Sequence, residues 1–243
     1  MHRFITICAA LFLGVTAVSA QNWSSYDPTG KFSISVQGGP MLSISENAFS
    51  YKDNGKTAKL ITPQASVSVG YDFTKAFGLR ANIGYGKNMS ACNTYDTAMH
   101  GFYPYSFKNI SCFVDAILQL NYVNNSWSAF CPKLYFGLGA AQSFGFNEVN
   151  FGSYTKTDPT YKRFHPWQDV NESNGVVAFR LGFIAEYNFS QNFGIFADIT
   201  GEAYTDNFNG LMPESGDFDA FHGYAGFPFD LRGLISLGAV CRF

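Results

Sequence analysis

The sequence is poor in charged residues. Asp, Glu, Lys and Arg make up only 14% of its 243 residues, whereas about a quarter is usual in a soluble protein. The formal net charge of −2 gives no electrostatic reason to expect a nucleic-acid partner. Apolar residues occur in short runs, and no run beyond residue 20 reaches the ~18 residues of a transmembrane helix. We therefore expect no transmembrane helix after residue 20.

Motifs of enzymes and of metal sites are also missing. The sequence contains no GxSxG, HExxH or P-loop pattern, and its cysteines form no CxxC pair. We therefore expect no catalytic residue, no cofactor and no metal ion. Of the cysteines after residue 20, Cys92 falls in a predicted loop, whereas Cys112, Cys131 and Cys241 fall in predicted strands. Cys112 and Cys131 point to opposite faces, which argues against a disulfide, so all four are expected to be free.

What the chain does have is an alternation of apolar and polar residues in eight stretches, each about ten residues long, a period typical of β-strands. One of the two alternating sets carries no charge, no amide and no hydroxyl other than that of tyrosine. Such a surface is expected to face lipid, with the polar set turned to the interior. The predicted strands span residues 32–42, 61–73, 77–86, 111–122, 130–141, 177–189, 193–204 and 230–243.

The connections between these strands alternate in length. Tight turns are predicted at 74–76, 124–126 and 190–192, and long links near 43–60, 87–110, 142–176 and 205–229. In outer-membrane barrels the short turns face the periplasm and the long loops face outside. Aromatic residues gather at the short-turn ends, and a second set is expected at the outer membrane edge: Tyr85, Phe107, Phe144, Tyr204 and Phe229. The sequence therefore predicts an all-β fold, an eight-stranded antiparallel up-and-down transmembrane β-barrel with short periplasmic turns and long extracellular loops.

The first residues resemble a secretory signal rather than part of this barrel. A short basic start precedes a mainly apolar stretch at 4–18, and the small residues 18–20 form a cleavage site. We predict a signal peptide at 1–20, a short periplasmic lead at 21–30 and the barrel at 31–243, located in the cell outer membrane.

The final strand, residues 231–243, is the most specific part of a family resemblance. Its alternating apolar residues end in Phe243. The chain resembles small bacterial outer-membrane barrels of the OmpA transmembrane-domain and OmpX type, and the porin-family or outer membrane β-barrel domain proteins of bacteria such as Bacteroidetes. The resemblance implies that Phe243 belongs to an assembly signal read by the barrel-assembly machinery. It also implies contact with outer-membrane lipid and lipopolysaccharide, and a monomer.

A soluble ligand barrel of the lipocalin kind is the alternative fold. Its outer face would have to be the polar set, which is sparse in Lys and Glu and rich in Gly and Ser. A charge-free outward band fits lipid better than water.

The inward set places charged residues inside a barrel that is just wide enough for side chains to fill it. Four are basic and four acidic: Arg80, Lys133, Arg180 and Arg232, with Asp115, Glu186, Asp198 and Glu202. This balance favours a buried, paired network over a permeation path. If the hairpin after the sixth strand is centred on Gln191, Arg180 lies across from Glu202, and Arg232 could join them.

The long loops are the predicted carriers of function, because a rigid scaffold commonly presents function on its loops. The third loop offers Lys162, Arg163, His165 and Trp167 as candidate contacts to a surface or envelope protein partner. Alternatively, these loops pack on one another or touch lipopolysaccharide headgroups, whose phosphates would suit Lys162 and Arg163. The fourth loop is acidic and aromatic and includes Phe208.

These observations predict a non-enzymatic outer-membrane barrel with a side-chain-filled interior that serves envelope integrity, adhesion or partner binding. Two alternatives stay open. One is a lipid A-modifying enzyme, in which His100, His165 and His222 converge at the outer rim. The other is a narrow pore.

Overall fold

The computed structural model describes residues 27–44, 52–53, 56–57, 61–94, 101–123, 128–148, 174–205, 208 and 229–243. The strands of its barrel are β1 (Phe32–Ile44), β2 (Ile61–Asp72), β3 (Phe77–Thr94), β4 (Gly101–Gln119), β5 (Phe130–Glu148), β6 (Asn174–Asn188), β7 (Phe193–Thr205) and β8 (Phe229–Arg242). Each strand pairs antiparallel with its neighbours along the chain, and β1 pairs with β8 to close the barrel. The predicted eight-stranded up-and-down barrel is confirmed.

Two smaller elements accompany the barrel. Lys52–Asp53 pairs with Lys56–Thr57 in a separate short ladder, and a single helical turn, α1 (Leu120–Val123), follows β4. Within the part of the chain that is described, no helix has the length and apolar character needed to cross a membrane.

Burial alternates along the strands with the predicted parity. The outward side chains are apolar and strongly exposed: Leu237 is 71% exposed and Leu181 is 63% exposed. The inward positions of the same strands hold buried polar and charged side chains such as Ser236 and Arg180. This polar interior and apolar exterior reverse the lipocalin arrangement and suit a wall in contact with hydrocarbon. The same parity holds for the cysteines, since Cys112 and Cys241 are exposed, Cys131 is buried, and all three are free.

Strands β3, β4 and β5 are longer than the alternation predicted. The predicted loop at 87–110 is wrong for most of its length, because β3 and β4 stay paired as far as Thr94 and Gly101. Cys92 therefore lies in a strand and not in a loop. The ladder continues beyond the apolar band on backbone hydrogen bonds, which any sequence can make, so the hydrophobic pattern ends before the strand does.

Two of the short turns lie within the described residues, and they are similar. The hydroxyl of Thr74 accepts a hydrogen bond from the backbone N–H of Phe77 at 3.0 Å, and the hydroxyl of Ser190 accepts one from Phe193 at the same distance. Each bond stabilises its turn through a side chain that belongs to the turn itself. Between β4 and β5 the prediction is wrong, because β4 ends at Gln119 and α1 follows where strand was expected. The predicted turn at 124–126 lies outside the described residues.

Candidate functional site: the filled barrel interior

One row of directly paired inward residues crosses six neighbouring strands. The register sets Arg80 on β3 opposite Asp115 on β4 and, further round the wall, Arg180 on β6 opposite Glu202 on β7. Glu202 is in turn opposite Arg232 on β8. Basic and acidic side chains therefore alternate along the row, so that each carboxylate lies between two cations. The Arg180–Glu202 alignment is the one predicted from a hairpin centred on Gln191.

The middle of this row is an ion-paired cluster around Asp115, which is fully buried. The Asp115 carboxylate accepts from Arg80 Nε at 2.7 Å and from Arg180 Nε and Nη2 at 2.6 and 2.5 Å. Two parallel bonds from one guanidinium give both strength and a fixed orientation. Position 137 lies between Asp115 and Arg180 in the row and is glycine. A Cβ there would overlap the Asp115 carboxylate and come within 2.9 Å of Arg180 Cγ, so the ion pair requires the glycine.

The upper end of the row is an outer cluster around Arg232. Its Nη2 and Nε donate to Glu202 Oε2 at 2.5 and 3.1 Å, and its Nη1 donates to Asn109 Oδ1 at 2.8 Å. A distance of 4.0 Å between Arg180 Nη1 and Glu202 Oε1 joins this cluster to the one around Asp115. The Arg232 guanidinium also lies 4.4 Å from the centroid of the Tyr204 ring, a cation–π contact.

Aromatic side chains cover the outer cluster. The rings of Tyr204 and Phe208 are stacked with centroids 3.9 Å apart, and Phe107 meets Phe208 edge-on at 5.4 Å. All three are buried in the interior, so the predicted place of Phe107 and Tyr204 at the membrane edge is wrong. Phe208, from the predicted fourth loop, is buried beside them. Phe107 has the same inward parity on β4 as Asn109 and Asp115, and it lies opposite the buried Asn88 on β3. Tyr204 shares the inward parity of Glu202, from which it is two residues away.

A second ion-paired cluster lies near the periplasmic end. Glu186 accepts from Lys133 Nζ at 2.8 Å and from the guanidinium of Arg242. Arg242 Nη1 also donates to Asn188 Oδ1 at 2.7 Å. Arg242 was not part of the predicted charge network, although its inward parity on the last strand was a signal that could have included it. Here again one buried carboxylate is held by two cations.

A belt of buried apolar and aromatic side chains separates the two ends. Its members are Ile117, Tyr135, Ile184, Phe196 and Val240. The hydroxyl of Tyr135 reaches Asp198 Oδ1 at 3.0 Å, and Thr200 Oγ1 donates to the same oxygen at 3.0 Å. Asp198, predicted as part of the charge network, therefore has hydroxyl partners. The Tyr135 ring lies over Gly182, its direct neighbour on β6, where a Cβ would overlap the ring.

Two small cavities lie inside the part of the barrel that the structure describes. One cavity of about 20 Å³ lies beside Gln64 and Arg180, and another of about 40 Å³ lies beside Arg80 and Lys133. A cavity needs about 10–15 Å³ of such space to hold one water molecule, so each of the two has room for at least one water. In the described part of the barrel, side chains thus extend into the bore from opposite walls and are held together by ion pairs.

The other predicted site residues lie elsewhere. Phe243 is 66% exposed, and its backbone N–H donates to Phe32 O at 2.9 Å where β1 and β8 meet. The candidate loop contacts and histidines fall outside the described residues: Lys162, Arg163, His165, Trp167, His100 and His222. Among the residues that are described, no group of three or more His, Cys, Asp or Glu is arranged to hold a metal ion.

Comparison with known proteins gives one family match and several similar folds. The model of a family described as the outer membrane protein beta-barrel domain matches residues 6–229. The chain is similar to Neisserial surface protein A, with 12% identity and a TM-score of 0.52 over 88% of this chain and 99% of that one. It is also similar to a major outer membrane protein from Thermus thermophilus, with 14% identity and a TM-score of 0.52 over 88% and 100%. No curated protein matches the sequence.

Proposed function

Because the chain belongs to the outer membrane protein β-barrel domain family and lies in the cell outer membrane, we propose that it is a non-enzymatic scaffold. Its interior is closed to ions. Its outer ends present the connecting segments for envelope integrity, adhesion or the binding of a surface or envelope protein.

The observation that carries this proposal is that three buried carboxylates, those of Asp115, Glu186 and Glu202, each have two cationic neighbours. Asp115 and Glu186 each accept from two cationic side chains within hydrogen-bond distance. Glu202 is bonded to Arg232 and lies within 4.0 Å of Arg180. A lumen that conducts ions needs charged groups that face mobile water and ions. Charges that already neutralise one another inside a packed bore attract no permeating ion, and separating them is costly because each would be left buried and unpaired.

Single-channel recording in planar bilayers tests the closed interior. The purified full chain is expected to give no steady conductance above that of the protein-free bilayer, over a range of salt and voltage. A large and steady conductance from the folded protein would contradict the proposal and favour the narrow pore.

Mass spectrometry of lipid A tests the non-enzymatic part. Lipid A from cells with and without the protein is expected to carry the same acyl chains and phosphates. Loss or gain of an acyl chain in cells with the protein would favour the lipid A-modifying enzyme, in which His100, His165 and His222 were the predicted participants.

Photo-crosslinking in live cells tests the presentation of the outer segments. A photo-reactive residue in place of Trp167, within the predicted third loop, is expected to form a discrete adduct with an envelope or surface partner. The matched control carries the same residue at Lys75, in the periplasmic turn, where Lys75 Nζ lies 3.4 Å from Asp27. An adduct pattern that is the same at both positions would contradict recognition by the outer segment.

A further inference from the structure

The longer strands bring two charged residues onto the lipid-facing wall. Lys87 lies on β3 and Lys108 on β4, both beyond the predicted ends of their strands and both exposed on the outward face. Among the outward side chains that the structure describes on the eight strands, these two alone are charged. They therefore interrupt a surface that is otherwise apolar or neutral.

The register sets the two lysines directly opposite each other. Cβ atoms of opposite residues on one face of a sheet are about 5 Å apart, and like charges in that position destabilise the pair. Neither ammonium group has an ion pair or hydrogen bond with another residue in the described part of the chain. The repulsion is thus not relieved by any described side chain, and an anion between the two groups would relieve it.

The height of the pair on the wall indicates which anion is available. Phe77 and Leu118 are opposite each other at the periplasmic end of the same two strands, and Lys87 and Lys108 are each ten residues further out. Ten residues at ~3.3 Å each, tilted by ~40°, rise roughly 25 Å, which is the height of the apolar band of such barrels. Tyr85 is the next outward residue on β3 towards the periplasm and is half-exposed. Tyrosine is enriched at the membrane–water interface, which supports this height for the lysines.

We propose that Lys87 and Lys108 together bind a phosphate group of an outer-leaflet lipid headgroup. A phosphate monoester carries a charge of about −1.5 to −2 at neutral pH, which matches two ammonium groups, and its several oxygens can accept from both at once. Lysine is a common phosphate ligand because its ammonium is a compact point charge. The site depends on the outer-membrane location and not on whether the interior conducts.

Lipid-dependent unfolding of the full chain tests this site. Wild type and the double variant Lys87→Gln/Lys108→Gln are unfolded by guanidinium in phosphatidylcholine bilayers with and without bisphosphorylated lipid A. Lipid A is expected to raise the unfolding midpoint of wild type and not that of the double variant. In phosphatidylcholine alone the double variant is expected to be as stable as wild type or more stable, because the repulsion has been removed. Lys75→Gln, exposed at the opposite end, is expected to respond to lipid A as wild type does.

Native mass spectrometry supplies a direct binding measurement. The affinity for lipid A is expected to fall about fivefold for each lysine replaced, since a basic residue near an anionic membrane surface contributes ~1 kcal/mol, and to fall with added salt in wild type alone. Equal lipid A affinity in wild type and the double variant overturns the proposal. So does a gain in wild-type stability from inorganic phosphate that equals the gain from lipid A, because the site would then bind the free anion. If the double variant does not insert into the bilayer, the single variant Lys108→Gln replaces it in both measurements. The outcomes that support or overturn the proposal are then the same.

Discussion

The inner and outer faces of the same eight strands obey different rules. On the outer face a side chain such as Leu237 or Leu181 contacts lipid, and its polarity matters more than its identity, because hydrocarbon chains adapt to any apolar shape. On the inner face Asp115 accepts three bonds from two arginines, and the glycine at position 137 is needed to let them meet. Contact with lipid therefore constrains the polarity of the outward side chains, whereas specific partners constrain the identity of the inward ones. The same type of substitution should thus change the free energy of unfolding by different amounts on the two faces.

The largest expected effect comes from removing one member of the inner network. Asp115→Ala leaves Arg80 and Arg180 buried without their carboxylate, which is expected to lower the free energy of unfolding by about 3–5 kcal/mol. The control is Val114→Ala, the adjacent residue on the outer face, with an expected loss of only about 0.5 kcal/mol. Guanidinium unfolding in lipid vesicles measures both. Similar losses for the two variants would mean that the faces do not differ as we describe.

A charge on the outer face should be the next most costly change. Leu237→Arg places a guanidinium on the lipid side near the middle of β8, and a cost of about 2–4 kcal/mol is expected near the bilayer midplane. Leu237→Phe keeps the position apolar and is expected to leave the unfolding midpoint nearly unchanged. If both variants are equally stable, position 237 does not lie in hydrocarbon.

Alanine substitutions at two glycines compare the steric constraints on the two faces without changing charge. Gly137→Ala is expected to cost about 1–3 kcal/mol through overpacking, because the new methyl group overlaps the Asp115 carboxylate. Gly233→Ala on the outward side of β8 has no atom within 4 Å of the new Cβ and is expected to be neutral or slightly stabilising. Unfolding midpoints in the same vesicles give the comparison, and equal midpoints would remove the steric argument for Gly137.

The division between the faces could be predicted from the sequence, because alternation with a period of two records which side of the wall meets lipid. The Arg180–Glu202 alignment could be predicted as well, since a short turn leaves only one register for β6 and β7. The partners of Arg80 could not be assigned in this way. The strands β3 and β4 continue well beyond the alternating region, so the sequence does not reveal where their pairing begins.

The aromatic cover of the outer cluster could be predicted only in part, since Tyr204 shares the inward parity of Glu202 on a predicted strand. Phe107 has the inward parity of Asp115 but lay in the predicted loop at 87–110, and Phe208 belongs to a connection without periodicity. Lys87 and Lys108 were likewise assigned to a loop, so their opposition across β3 and β4 appears only once the register is known. Side chains at the outer end thus depend on strand length and register, which alternation alone does not reveal.

The smallest expected effect is one on conductance, and it tests where the bore is closed. Phe208→Ala removes the ring stacked on Tyr204, and aromatic pairs of this kind contribute about 0.5–1.5 kcal/mol beyond the area they bury. The conductance is expected to remain at background, because Tyr135 and Phe196 in the belt below still cross the interior. Phe179→Ala, on the outer face beside Phe229, serves as control and should be less destabilising, since lipid replaces the lost ring. A steady conductance from Phe208→Ala alone would place the barrier at the outer mouth, and the belt would then not be what closes the barrel.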